Sequence, residues 1–390
     1  MKGKWIITGL ALFACALLLP FGLGARETKK APYKIGCIFA VTGPASSLGE
    51  PEKNTIEMLV DEINAKGGIN GHPIKAIIYD TEGDETKALA KVKRLINNDQ
   101  VLAIIGPTRS GTSLAIIDYV SKAQVPMISC AASWKIVRDP KTGKARKWIF
   151  KTPQSDSLAV EKIYEYLTKK GIKKVAIMTV SNGFGDSGRE QLKKLAPKYG
   201  IKIVADERFG QDDIDMTAQL TRINGTDAQA VIVWAVQKAP AIVTKNMRQL
   251  GMKQLLVMSH GVASKKFIQL AGKDAEGIIL PAGRLIVAEQ LPDTDPQKKV
   301  LLDYKKKYEA KYGPVSTFGG HAYDALMMLV KALEKAGADR AKIRDELEKI
   351  KGFIGTGGIF NMSPNDHEGL TKDAFVMVRI KNGDWELIKE

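Results

Sequence analysis

The sequence is poor in cysteine and histidine, the residues that most local catalytic and metal motifs need. Only three cysteines occur in 390 residues, and one of them, Cys15, lies in an apolar leader. A disulfide scaffold and a cysteine-rich zinc module are thereby excluded. The other two, Cys37 in "KIGCIFA" and Cys130 in "VPMISC", sit in apolar strand-like runs. They read as buried free thiols, with one disulfide between them as the alternative. His72, His260, His321 and His367 stand far apart and form no H-x-x-x-H pair. There is no C-x-x-C, G-x-S-x-G, S-x-x-K or Walker A loop, which removes the local signatures of several hydrolase and nucleotidase classes. An enzyme assembled from distant groups stays open, but no metal and no cofactor is expected. Beyond the leader no run is apolar enough to span a membrane.

Charge of one sign is in excess, at +16. The lysines are nevertheless interspersed with acids, as in "EKIYEYLTKK" and "YKKKYEAKYG". With no basic patch interleaved with aromatics, this reads as solvated helix faces, and no nucleic-acid partner is expected. A hydrophobic share of 44% and a charged share of 26% describe a globular chain.

The leader itself is informative. Lys2 and Lys4 precede "WIITGLALFACALLLPFGLG", which runs uncharged until Arg26. Residues 1–25 therefore read as a secretory signal peptide, cleaved around Gly24–Ala25. A retained anchor and lipid attachment at Cys15, within "LFAC", are the alternatives. The mature protein is expected outside the cytoplasm as a soluble chain.

Strand and helix alternate through most of the remainder. Residues 34–40 predict a strand, and 50–66 a helix with Ile56, Leu59, Val60 and Ile63 at helical spacing. "IKAIIYD", "VLAIIG" and "PMISCAA" predict further strands separated by helices, one of them over 110–124. After a break at 151–156 the same grammar restarts. Helix 157–170 is followed by strand 173–180, helix 188–199 and strand 201–206. Then come strand 229–235, helix 239–250, strand 254–258, a short helix from 264 and the strand "GIILPAG". Continuously apolar strands joined by helices imply parallel sheets covered on both faces. Residues 297–350 are helical, and "AFVMVRI" and "DWELI" close the chain as strands that need an existing sheet edge. The expected fold is α/β, with two doubly wound, Rossmann-like lobes joined by a three-crossing hinge. Lobe one takes residues 33–153 and 284–357, and lobe two takes 154–283 and 358–390.

"SNGFGDSGR" contains a G-x-G-x-x-G at Gly183, Gly185 and Gly188, with Asp206 eighteen residues further on. An exported NAD-dependent oxidoreductase is one reading. Its context argues otherwise, because Ser181 and Asn182 separate strand from glycine and Phe184 occupies the crest of the turn. The turn reads instead as a mount for Phe184.

Ligands of doubly wound sheets bind at the carboxyl ends of the strands. After "VLAIIG", Ser110 opens a helix and can act as its cap, or receive a carboxylate together with the free amides beside it. Arg109 is either an anion contact or an exposed charge. After "PMIS", the Ala131 carbonyl and the Ser133 hydroxyl can meet a ligand, or Ser133 can cap a turn. Trp134 either walls a pocket or packs at the surface. Phe184, Gln237 and His260 each follow a strand of the second block.

The stretches "IGCIFAVTGPASSLGE", "VDEINAKGGINGHPIKAIIYD", "AIIGPTRSGTSLA", "VPMISCAASW" and "DAEGIILPAG" resemble the type I periplasmic binding proteins of ABC importers. The likeness is strongest to the leucine/isoleucine/valine-binding branch and covers essentially the whole mature chain. It implies a non-enzymatic periplasmic protein, expected as a monomer, that closes two lobes on a small ligand and serves an ABC permease. It implies Ser110, Ala131 and Ser133 at the ligand's head group, and Phe184 where the family has a covering tyrosine. Gln237 (or Val236) and His260 come from lobe two, and Leu48 and Phe318 line the side-chain pocket. Amino-acid binders of this family usually carry an acid where His260 stands. Its replacement by histidine, with Arg109 nearby, implies a carboxylate ligand without an ammonium, an amino acid being the alternative. "WIFKTPQSDS" resembles the branch that takes up aromatic acids. A ligand-sensing partner of a membrane receptor is the remaining alternative.

Overall fold

The computed structural model describes residues 1–3 and 30–389. Residues 4–25 of the expected signal peptide, Cys15 among them, lie outside these. The first sheet holds β1 (Tyr33–Phe39), β2 (Ile74–Asp80), β3 (Ala103–Ile105), β4 (Met127–Ser129) and β5 (Ile149–Lys151), all parallel, in the order β2-β1-β3-β4-β5. The second holds β6 (Lys174–Val180), β7 (Lys202–Phe209), β8 (Ala230–Trp234), β9 (Leu255–Met258) and β10 (Ile279–Gly283). A two-stranded ribbon of β11 (Phe353–Ile354) and β12 (Ile359–Phe360) stands apart from both sheets. Then β13 (Phe375–Lys381) pairs antiparallel with β10, and β14 (Asp384–Leu387) pairs antiparallel with β13. The second sheet therefore runs β14-β13-β10-β9-β8-β6-β7.

The inner strands of both sheets are buried on both faces, and the sequence shows why. Side chains alternate across a strand, so an unbroken apolar run must feed two cores. In β1, Ile35, Cys37 and Phe39 enter one core with the helices Ser46–Ala65, Lys298–Tyr312 and Thr317–Ala336, whereas Ile38 enters the opposite core. In β8, Val231 and Val233 face one side, and Ala230, Ile232 and Trp234 the other. The late helices of 297–350 thus complete the first lobe, and the final strands extend the edge of the second. Cys37 and Cys130 are free, buried thiols in the first lobe's core, and burial pushes both thiols up.

The chain passes between the sheets after β5, after β10 and after β12. The first and third of these segments are tied to each other and to the helix Thr317–Ala336. Thr152 Oγ1 donates to the His321 carbonyl at 2.9 Å, and Gln154 Nε2 donates to the Gly357 carbonyl at 2.6 Å. Asp324 accepts the backbone N–H groups of Thr356 and Gly357 at 2.6 and 2.7 Å. Ser155 and Lys151 both bind Glu368.

Local differences from the sequence reading are instructive. The helix Thr217–Asn224 was not expected, because its buried stripe is only Leu220 and Ile223. The glycine stretch does not form a turn. The helix Gly183–Leu195 already begins at Gly183, and Asn182 is its cap. Its glycines serve close packing. A Cβ on Gly185 would clash with the Val180 carbonyl, and one on Gly188 would lie 2.2 Å from Trp234 Nε1. The distal acid is also occupied, since Asp206 accepts a bidentate pair from Arg189 at 2.8 and 2.6 Å and a third bond from Lys193. The geometry therefore gives the fingerprint a structural explanation.

Candidate functional site

A cavity of about 50 Å³ lies between the two sheets, where strand ends and helix starts of both lobes meet. Its size suits a small ligand. Leu48, Arg109, Ser110, Ala131, Phe184, His260 and Phe318, all singled out in the sequence, line it.

Three expected residues are placed elsewhere. Ser133 is fully buried beside the cavity and turns its hydroxyl away from it, donating to Ser187 Oγ at 2.9 Å across the lobe boundary. Ser187 in turn donates to Asp156, whose other oxygen accepts Trp234 Nε1 at 3.2 Å. The reason is helix phase: Ser187 lies one turn after Gly183 and projects at the loop that follows β4. Gln237 sits in a left-handed backbone conformation with φ 67°, and its neighbour Val236 reaches the cavity instead. Trp134 belongs to a short 3-10 turn, Trp134–Ile136, where Lys135 covers its ring at 5.9 Å, outside the lining.

Arg109 does line the cavity, but its guanidinium is engaged. It donates to the Gly83 carbonyl at 2.8 Å and to Gln211 Oε1, a lobe-two side chain that also accepts Asn182 Nδ2 at 3.1 Å. Arg109 thus bridges the lobes, and a bidentate grip on a ligand is not what this arrangement offers.

The two helix starts at the cavity differ. In lobe two, Asn182 Oδ1 accepts the Phe184 and Gly185 amides at 3.0 and 3.1 Å. In lobe one, the residue before Ser110–Lys122 is Arg109, which makes no side-chain cap. The Ser110 hydroxyl accepts the Ser133 amide at 3.3 Å, which leaves its own proton to donate. Gly183 packs against Gly111, so the two helix starts almost touch. Uncapped amides, a free hydroxyl donor and the positive end of a helix favour an anion at the lobe-one start.

The two histidines of the lining are different in kind. His260 and His321 are both buried, and burial with the nearby Lys151 charge pushes each imidazole down to about 3. Both are therefore neutral at pH 7. Among the described residues that line the cavity, none is an aspartate or a glutamate. Glu52, a buried acid, receives the Thr108 hydroxyl at 2.5 Å beneath the lining, and burial raises its carboxyl well above the usual carboxylate range.

His321 is the residue that sequence reasoning missed. It stands one helical turn after Phe318 in "FGGHAYD", so the placement of Phe318 already implied its direction. Thr108, Cys130, Ala132, Asn182, Gly261 and Thr317 also line the cavity. They flank the expected residues in sequence and carry no separate motif.

The comparisons with known proteins agree with this geometry. A family model described as periplasmic binding protein matches residues 32–384. The leucine-, isoleucine-, valine-, threonine- and alanine-binding protein of Pseudomonas aeruginosa is 25% identical over 317 residues, spanning 80% of this chain and 81% of that one. An extracellular ligand-binding receptor from Rhodopseudomonas palustris HaA2 is 30% identical and superposes with a TM-score of 0.85, over 92% of this chain and 100% of its own. The branched-chain amino acid transporter substrate binding protein LivJ from Streptococcus pneumoniae, solved with isoleucine, gives a TM-score of 0.80 at 27% identity, over 92% and 100% of the two chains. With two doubly wound lobes, three crossings and an inter-lobe cavity, the chain belongs to the periplasmic binding protein family, whose members are exported solute-binding proteins.

Proposed function

We propose that this protein captures a small carboxylate that lacks an ammonium group, by closure of the two lobes, and delivers it to an ABC permease. It acts as a monomer and performs no chemistry on the ligand. Residues 1–25 export it to the periplasm. Lobe one is 33–153 with 284–357, and lobe two is 154–283 with 358–390. The lobes move about the three crossings as a hinge.

The observation that carries this reading is the absence of any acid among the described lining residues. A buried ammonium needs a countercharge or a set of acceptors, and the lining offers two neutral imidazoles, His260 from lobe two and His321 from lobe one. The lobe-one helix start, with the Ser110 hydroxyl, offers donors to a carboxylate. Phe184, Phe318 and Leu48 supply apolar walls for the rest of the ligand, in keeping with an aromatic or aliphatic acid. Relatives named for leucine, isoleucine and valine share the fold, and the change of ligand rests on the lining. Titration calorimetry with leucine, valine, benzoate and hexanoate tests the proposal. Binding of at least one carboxylate, with none of either amino acid, is the expected result. Binding of leucine or valine without either carboxylate overturns it.

A further inference from the structure

Two imidazoles face the cavity with ring nitrogens that the protein leaves unsatisfied. His260 is 8% exposed and His321 is 5% exposed. Among the described residues, none hydrogen-bonds to His260 Nδ1, His260 Nε2 or His321 Nδ1. Buried polar atoms are almost always paired, and each orphan costs about 1–3 kcal/mol. Three of them in the lining of one cavity mark the place of a polar ligand group.

The rings are held where they are. His260 packs edge-on against Phe184, Trp234 and Phe375, with centroids 5.6, 5.7 and 5.4 Å away. Phe318 packs edge-on against His321 at 6.4 Å, and the His321 carbonyl is fixed by Thr152. Neither ring can swing to solvent without opening an aromatic cluster.

The surroundings select the group. A neutral imidazole presents one N–H donor and one bare nitrogen acceptor. A second carboxylate would need a free cation, and the nearby one, Lys151, already binds Glu368 at 3.2 Å and the Pro153 carbonyl at 2.6 Å. An ammonium would meet no countercharge. A hydroxyl satisfies both kinds of atom, accepting N–H from one ring and donating O–H to the other.

Resting on the carboxylate reading above, we propose that His260 and His321 form a second polar subsite that receives a hydroxyl of the ligand. The ligand class is then the hydroxy acids. Leu48, Phe184, Val236 and Phe318 enclose an apolar spacer between carboxylate and hydroxyl.

Matched pairs test this on the full mature chain: benzoate with 4-hydroxybenzoate, and phenylacetate with 4-hydroxyphenylacetate, by titration calorimetry. The hydroxylated member of at least one pair binds roughly tenfold more tightly, the value of about one well-made buried hydrogen bond. In His260→Leu and His321→Leu that ratio falls toward one, whatever the change in affinity for the unhydroxylated acid. His321→Gln, which retains a donor and an acceptor, keeps part of the preference. The wild-type comparison needs no variant, so a misfolded variant does not remove the test. Equal affinity for both members of both pairs overturns the subsite and leaves the carboxylate reading intact. Binding of leucine with none of the four acids overturns both.

Discussion

Ser133 Oγ lies 2.9 Å from Ser187 Oγ, and this bond joins the loop after the fourth strand of lobe one to the first turns of a lobe-two helix. Both side chains are fully buried. It is a contact between the lobes, and Arg109 with Gln211 makes a second.

Ser187→Ala should therefore weaken ligand binding without changing the ligand's own contacts. The loss expected for one buried hydrogen bond is about 1 kcal/mol, or roughly fivefold in affinity. Small-angle scattering of the ligand-free variant should show a larger radius of gyration than wild type. Identical scattering and identical affinity would show that the bond does not favour closure.

Asp324 is a polar anchor of the segment that leads into the third crossing. Burial raises its carboxyl from 3.8 to about 7, although the Thr356 and Gly357 amides act to lower it. A folded-state value above the unfolded one means that its contribution is fully present below about 3.8 and is lost as pH rises through about 7. Asp324→Asn keeps one carbonyl acceptor where two oxygens served. It should cost about 1–3 kcal/mol at pH 5, with a shallower decline in melting temperature between pH 5 and 8 than wild type. Parallel melting curves across that range would refute the assignment.

The two cavity histidines predict the opposite slope. Each is depressed from 6.5 to about 3. Their contribution is present above pH 6.5 and is lost as pH falls toward 3, because the unfolded chain takes up protons that the folded one refuses. The difference in unfolding free energy between His321→Gln and wild type should shift in the variant's favour from pH 7 to pH 4. Denaturant titrations at the two values read this directly, and a pH-independent difference would contradict it.

Gly188→Ala separates the structural from the nucleotide reading of the glycine stretch. Its new methyl would lie 2.2 Å from Trp234 Nε1 in a packed core. Overpacking of this kind typically costs about 1–3 kcal/mol, and Trp234 fluorescence should change with it. Millimolar NAD should raise the melting temperature of neither form, whereas a nucleotide site would be stabilised by mass action.

Much of the architecture was legible in the chain itself, because its signals are local. Apolar runs such as "AIIG" and "VIVW", separated by amphipathic stretches, impose strands buried on both faces and helices between them. Strand-end placement then put Ser110, Ala131, Phe184 and His260 at one cavity. What the tertiary structure decided is where side chains point when two lobes meet. Ser133 and Ser187 are distant in sequence, and neither carries a local signal that it will find the other. Ser133 consequently becomes a bridge between lobes, Arg109 is claimed by Gln211, and Val236 takes the place offered to Gln237. His321 enters the cavity because a helix formed late in the sequence packs on a sheet formed early. Residue type and spacing fixed which groups were available, and only the packing of one lobe on the other settled which of them remained free for a ligand.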